Sequence, residues 1–370
     1  MRILHLIATG QRRGAEVFAS DLVAALDEPG LRQRVAVLHG GPPWPVDFGA
    51  PVTTLGARPL PLHPGALRAL RRLLLDWGPD LVQAHGGQPL KYAVLAAPRR
   101  PPIVYRRIGS LAGWLSSRPR RALYGRLVRR AAAVVAVAES VRRETVDAFR
   151  LPPERVVTIP NGVDPGRLRP ARGRAATREA LGVPAEATVV LSLGALSWEK
   201  DPLGQLAVTA PLLRGRPGTV HLFAGDGPLR AELEAAARGA GLDGRALVLG
   251  SRADVGDLLA ASDLMLFASR TEGMPASVIE AGVAGLPVVG VALTGVPEVV
   301  EHGVSGLLVQ PGDHDGLRAA LARTLDDGAL RAAMGEAARE RCRRRYGIQT
   351  IAAAYRNLYE ELHWAARAAS

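Results

Sequence analysis

The chain has 370 residues, of which 48% are apolar, too many for one ordinary core and enough for two. No run of 18 residues is continuously apolar, which excludes a spanning helix, and the single cysteine, Cys342, excludes an internal disulfide and fits a reducing cytoplasm. The net charge is +12 and unevenly spread: residues 1–160 carry 24 Lys+Arg against 11 Asp+Glu, and the remainder carries 23 against 24.

Short β-type runs alternate with helical patterns along the whole chain. Ile3–Ala8 leads straight into Gly10 and reads as a buried first strand, without the long apolar region of a signal peptide. Arg34–Leu38, Asp80–Ala84, Ile103–Arg106, Ala133–Val137 and Val156–Ile159 follow as strands, with helical stretches such as Ala15–Leu26 and Ala66–Trp77 between them. The strands are almost wholly apolar, as expected when both faces of a parallel sheet are covered. Turn residues then crowd Pro160–Pro165, and Arg169–Arg178 is polar, which reads as a linker. The pattern restarts with Thr188–Gly194, Val220–Ala224, Ala246–Gly250, Leu264–Ala268, Val288–Val291 and Gly306–Val309. The chain ends in helix over Asp313–Leu325, Ala329–Arg345 and Ile348–Ala366, the last with an apolar stripe of Ile351, Tyr355, Leu358, Tyr359 and Leu362.

This order predicts two doubly wound, Rossmann-like α/β domains facing across a cleft, with helices at the C-terminus. The first domain is expected over 1–165, the second over 166–345, and the helix at 346–370 is expected to pack back toward the first domain. A cleft between such domains is the default place for a ligand.

The most informative stretch is Ser269–Ala281, which follows a predicted strand and opens a helix. Pro275 suits the first turn, where its missing N–H costs nothing, and the helix N-terminus offers free N–H groups to a phosphate. Gly273 lets a ligand approach the backbone. Glu272 stands before the helix and Glu280 inside it. Eight helical residues would separate the two by roughly 12 Å, whereas glycosidase carboxyl pairs sit about 5–9.5 Å apart. The spacing argues against hydrolysis and for carboxylates that grip two ends of one long ligand.

This stretch is joined by Pro287-Val288-Val289, Gly295-Val296-Pro297-Glu298 and Gly303–Val309, and upstream by Gly225-Asp226-Gly227-Pro228, Gly250–Val255 and Ala261-Ser262-Asp263. In this order and spacing the set resembles glycosyltransferase family 4, the group 1 glycosyltransferases, densely over about residues 186–345 and sparsely before. The resemblance implies a GT-B fold and a retaining, metal-independent transfer of a hexose from a UDP- or GDP-linked donor, with no further cofactor. It also implies a place in cell-envelope or polysaccharide synthesis, and it disfavours a nucleotide-sugar epimerase.

By that resemblance Glu272, Gly273, Met274 and Pro275 hold the donor hexose. The amides near Ser277 and Val278 meet the phosphates, Glu280 takes the ribose hydroxyls, and Arg252 joins the donor-binding group. Carboxylates accepting from vicinal hydroxyls make charge-assisted bonds, so the assignment is chemically sensible. Lys200 lies between a strand and a helix, and Lys91 is the only other lysine among 47 basic residues. The family has Arg directly after the glycine and Lys five positions on, both neutralising the departing diphosphate; here Ala195 replaces the Arg and Lys200 remains. Arg106 or Arg107, expected on a loop, is a candidate replacement. Ala195 also motivates the alternative of a catalytically weak GT-B protein that binds a nucleotide sugar or a partner.

In the first half, Asp80–Ala84 ends in His85-Gly86-Gly87, at the strand terminus where open α/β folds place ligand groups. The family has a histidine there, beside the reacting sugar, so His85, Glu272 and Lys200 form the expected catalytic set. Arg13-Gly14-Ala15-Glu16 resembles the family's Gly-Gly-Ala-Glu, with Gly14 letting the loop approach the donor. The basic half favours an anionic partner. Arg over Lys follows from codon bias in a GC-rich genome, but the split between halves does not. Residues 118–130 hold six arginines around Leu123 and Leu127 and suit an anionic membrane surface, so a peripheral position on the inner face of the membrane is expected. The expected acceptor is a saccharide or a lipid-linked sugar. Nucleic acid is not expected, because aromatic residues are only 4% and no recognised module is present.

Overall fold

The computed structural model describes residues 1–40, 46–58, 62–97, 100–109, 111 and 118–368, with the Arg118 side chain outside this set. The chain divides into two compact units, one of residues 1–162 and 348–370, the other of residues 163–347. Among the described residues no helix is long and apolar enough to cross a membrane.

The first unit runs β1 (Arg2–Thr9), α1 (Gly14–Ala25), β2 (Arg32–His39), β3 (Val52–Thr54), α2 (Pro64–Trp77), β4 (Leu81–His85) and α3 (Gly87–Ala96). It continues with β5 (Ile103–Arg107), α4 (Arg118–Arg129), β6 (Ala133–Ala136), α5 (Glu139–Phe149) and β7 (Val156–Thr158). The strands form one sheet in the order β3-β2-β1-β4-β5-β6-β7, parallel throughout. Every residue of β4 and β5 is buried, which is why these strands carry no polar alternation. The short edge strand β3 was not expected, because Val-Thr-Thr after a proline is half exposed and lacks an apolar run.

The second unit runs α6 (Arg174–Ala180), β8 (Thr188–Leu193), α7 (Pro202–Gly215), β9 (Thr219–Ala224), α8 (Arg230–Gly239), β10 (Ala246–Gly250) and α9 (Val255–Ala261). Then come β11 (Leu264–Phe267), α10 (Ala276–Ala284), β12 (Val288–Val291), α11 (Val296–Val299), β13 (Gly306–Val309), α12 (His314–Asp326) and α13 (Gly328–Tyr346). Its sheet is also parallel, in the order β10-β9-β8-β11-β12-β13. Both units are therefore doubly wound, with the strand order reversing at β1/β4 and at β8/β11.

One local finding departs from expectation. The polar stretch Arg169–Arg178 is not simply a linker, because it contains most of α6. Arg178 of that helix is buried and donates to the carbonyls of Ala261 and Ala187 and to Asp263. Asp263, part of the Ala-Ser-Asp match, also accepts from Arg174 and from the Val189 amide, so its work is structural. The last helix, α14 (Ile348–Ala368), turns its stripe into the core of the first unit. Ile351, Tyr355, Leu358 and Tyr359 pack there with Ile3, Phe18, Leu22 and Val104, and Leu362 packs at the margin. Fully burying one such side chain contributes about 1.5–3 kcal/mol, so this helix is integral to the unit. Cys342 on α13 is buried against Gly282 of α10, and burial pushes its thiol up to about 12, which leaves it inert.

Candidate functional site

In the second unit the site gathers at the carboxyl ends of β8 and β11, where the strand order reverses. After β8 the chain makes a glycine loop and a short turn, Trp198–Lys200, before α7 begins. Asp201 caps α7 by accepting from Gly204 N, and Pro202 occupies its first turn. The Gly225-Asp226-Gly227 match explains itself by contact. A Cβ on Gly225 would sit 1.8 Å from the Gly194 carbonyl oxygen, and one on Gly227 would sit 2.4 Å from that of Leu196. Only glycine lets the loop after β9 lie against the loop after β8, and Leu196 N then donates to Asp226 O at 3.0 Å. A pocket at this point is lined by Ser192, Gly194, Ala195, Lys200, Gln205 and Ser269 among others.

From β11 the chain brings Glu272 to Lys200 and Ser269, two residues that line this pocket. The Lys200 ammonium forms an ion pair with Glu272 Oε1, which also accepts from Ser269 Oγ at 3.2 Å. Arg270 N donates to Glu199 O at 2.7 Å, and the Arg270 guanidinium reaches Asp201 at 2.9 Å and lies over the Trp198 ring. Gly273, Met274 and Pro275 are buried, and Gly295 N donates to Gly273 O at 2.8 Å. Pro275 is the cap residue rather than the first helical one, and it offers no side-chain acceptor to the helix. The first-turn N–H groups at Ala276, Ser277 and Val278 therefore come at an uncapped helix N-terminus beside Glu272.

Glu280 lies on the second turn of α10, nearly buried, with Arg167 Nη2 at 2.8 Å from its Oε1. The spacing of eight helical residues between Glu272 and Glu280 does not hold, because helix begins only at Ala276. The two carboxylates instead engage two separate cations, Lys200 and Arg167. Arg252, after β10, is paired with Asp254 through two nitrogens at 2.8 and 2.5 Å, and this bond holds the Asp254 carboxyl below its usual range. The structure thus brings Lys200, Glu272, Ser269 and the start of α10 together, and places Glu280 deeper on that helix with Arg167.

Gly14 and His85 lie in the first unit, at its own reversal point. Gly14 opens α1, and a Cβ there would meet nothing within 4 Å, so space rather than packing surrounds it. His85 ends β4 and is buried. Its Nε2 lies 3.2 Å from His5 Nδ1, and His5 Nε2 lies 3.1 Å from Gln33 Oε1. Gln33 Nε2 donates to Val23 O, so its oxygen must accept from His5 Nε2–H. His5 Nδ1 then accepts from His85 Nε2–H, leaving His85 Nδ1 as a buried acceptor with no hydrogen-bond partner among the described residues. Burial, with His5 and Arg106 nearby, holds His85 well below its usual pKa, so it is neutral and serves as an acceptor.

Arg106 and Arg107 are not on a loop. Both sit on β5 with buried side chains: Arg106 donates to Asn161 Oδ1 and lies over the Phe18 ring, and Arg107 is paired with Glu144. Arg107 is thereby committed within the first unit, and neither guanidinium stands on a loop as expected. Two participants were missed. Arg167, 113 positions from Glu280, carries no local signal. Thr294, in the left-handed region at φ 35°, stands just before Gly295, whose amide ties down Gly273. A β-branched residue there is strained, and such strain gathers at ligand sites.

Residues 12–167 match the family model described as Glycosyltransferase Family 4, and residues 173–341 match Glycosyl transferases group 1. A D-inositol 3-phosphate glycosyltransferase of Streptomyces scabiei is 33% identical over 313 residues, 80% of this chain and 65% of that protein. A glycogen synthase of Mycobacterium tuberculosis is 30% identical over 308 residues, 78% of this chain and 71% of that protein. Across the first curated relatives it matches, the aligned part of the chain spans only 37% to 65% of their length. The crystal structure of Anabaena HepE in complex with UDP-glucose superposes with a TM-score of 0.86 at 25% identity, covering 98% of this chain and all of that one.

Proposed function

Since the chain belongs to the family 4, group 1 glycosyltransferases and has their GT-B fold, we propose that it moves a hexose with retention from a UDP- or GDP-linked donor to a saccharide or lipid-linked acceptor, without a metal. The observation that carries this is the Lys200–Glu272 ion pair at the β8/β11 reversal, beside the uncapped start of α10. A nucleotide sugar offers each partner something better. The diphosphate takes Lys200 and the amides at Ser277 and Val278; the hexose hydroxyls take Glu272 and the backbone at Gly273, Met274 and Pro275. Glu280 accepts from the ribose hydroxyls, with Arg167 holding its carboxylate in place, and Arg252 supports the donor from the loop after β10. A cation set against the diphosphate stabilises the charge that develops as it leaves.

In this reading His85 faces the reacting sugar as a neutral acceptor, and Gly14 leaves room for substrate. Ala195 leaves one cation fewer on the leaving group. Arg270, after β11 and hydrogen-bonded to Asp201 next to Lys200, is the replacement this reading favours. Support for a donor of this class comes from HepE, which was crystallised with UDP-glucose.

The basic first unit fits an acceptor at an anionic bilayer. Leu123 on α4 is 62% exposed, and Arg120, Arg126 and Arg130 around it are exposed. Such an arrangement suits reversible attachment to the inner face of a membrane. A thermal-shift screen of UDP-, GDP- and ADP-sugars tests the donor class, since a ligand bound only by the native state raises its stability. If no nucleotide sugar raises the melting temperature, the transferase reading falls, and of the catalytically weak alternative only binding of a partner is left.

A further inference from the structure

Lys200 is placed by more than its ion pair. Three ties converge on residues 199–201: Arg270 N donates to Glu199 O at 2.7 Å, Gln205 Nε2 donates to Lys200 O at 2.7 Å, and Arg270 Nη2 donates to Asp201 Oδ1 at 2.9 Å. Asp201 itself lies in the left-handed region at φ 48°, a costly conformation for a residue with a side chain. Such a corner persists only where its surroundings over-determine it.

The Gln205 tie is backed by a buried relay whose direction follows from one fact. A backbone carbonyl only accepts, so the Gln205 amide must turn its nitrogen to Lys200 and its oxygen to Ser192. Ser192 Oγ then donates to Gln205 Oε1 and accepts from His221 Nε2–H at 2.8 Å. That leaves His221 Nδ1 to accept from the Thr209 hydroxyl at 3.0 Å. Ser192, Gln205, Thr209 and His221 are all buried. Burial lowers the His221 pKa to about 3, so it stays neutral across neutral pH and its partners fix the tautomer. Apolar side chains would fill this part of the core; what four satisfied polar groups add is a fixed orientation.

We propose that Gln205, braced by Ser192 and His221, is a positioning residue that fixes the backbone at Lys200 and so sets where its ammonium meets the donor diphosphate. This rests on reading Lys200 as the diphosphate's cation.

The test uses the full chain with UDP-glucose or GDP-mannose, whichever the wild type turns over, and follows release of the nucleoside diphosphate. Gln205→Leu should lower kcat tenfold or more while changing the donor KM less than threefold. Gln205→Glu is nearly isosteric, but its carboxylate cannot donate to Lys200 O, whereas its protonated form can. The ionisable groups near this position are His221 on β9, Lys200 and Asp201 on the turn, and Glu272 and Arg270 after β11. His221 is already neutral, so the turnover of Gln205→Glu relative to wild type should rise as pH is lowered from 8 to 6. Lys200→Met serves as the benchmark. Wild-type kcat in a folded Gln205→Leu, or a Gln205→Glu profile parallel to wild type, overturns the proposal. If Lys200→Met is impaired in the same experiment, only the positioning role has failed. If Lys200→Met is also unimpaired, the reading of Lys200 fails with it. Should Gln205→Leu not fold, the Gln205→Glu profile decides alone.

Discussion

Replacing Glu272 with Gln should separate the two halves of donor recognition. Lys200 is already engaged by the Glu272 carboxylate, and the two side chains are only 29% and 13% exposed. At an effective dielectric near 20, unit charges ~4 Å apart attract by about 4 kcal/mol. Desolvation cancels part of this, leaving about 1.5–3 kcal/mol for a charge-assisted bond. A free nucleoside diphosphate must displace that bond to reach Lys200 and gains nothing from Glu272 in return. Glu272→Gln removes the competitor, so UDP or GDP should bind up to about tenfold tighter. The matching nucleotide sugar also loses a carboxylate from its hexose hydroxyls, and should bind about tenfold more weakly. Isothermal titration of both ligands against both proteins reads the ratio of the two dissociation constants, which should shift by roughly 10–100-fold. If both ligands weaken together, or neither changes, Lys200 and Glu272 do not exchange partners on binding and the reasoning fails.

Glu280→Ala should weaken the whole nucleotide by about 1.5–3 kcal/mol through the ribose, for UDP and its sugar alike; an unchanged affinity would leave the Arg167–Glu280 pair purely structural. His5, His85 and His221 are buried with depressed pKa values, His5 at about 4 and His221 at about 3. The unfolded chain binds their protons first, so stability should fall as pH drops from about 6.5 toward 4, on the order of 3 kcal/mol for His5 alone. Scanning calorimetry at pH 7.5 and 5 checks this; identical melting temperatures would mean the histidines are not held neutral. Anionic vesicles should sediment the protein at low salt and release it at high salt, with binding lost when Arg120, Arg126 and Arg130 become Ser together. Arg129 is left out because it donates to Phe149 O, and protein that stays in the supernatant at low salt would point to a soluble acceptor.

The fold was legible because its signal is local and repeated. Short apolar runs such as Ala133–Ala136 and Val288–Val291, alternating with helical stretches, read as the inner strands of a covered sheet, and Pro202 after Asp201 marks a helix start. The ends of β8 and β11 could likewise be read, because glycines and a rare lysine stand there. What could not be read is long-range pairing. Arg167 meets Glu280, and the Ser192–Gln205–His221 relay meets the Lys200 carbonyl, through contacts that no spacing rule encodes. Polarity also misled: Arg178 looks solvated in sequence but is a buried clamp whose partners are mostly backbone carbonyls more than 80 residues away or in the next turn.

If Lys200 assists departure of a nucleoside diphosphate from a sugar donor, its removal must slow release of that diphosphate. The most direct measurement is the rate of nucleoside diphosphate release from UDP- and GDP-hexoses, in the presence of EDTA, by wild type and by Lys200→Met. The wild type should release the diphosphate without metal, and the variant should show a fall on the order of 10²–10³ in kcat with a smaller change in donor affinity. Equal rates for the two proteins, or activity abolished by EDTA, would contradict it.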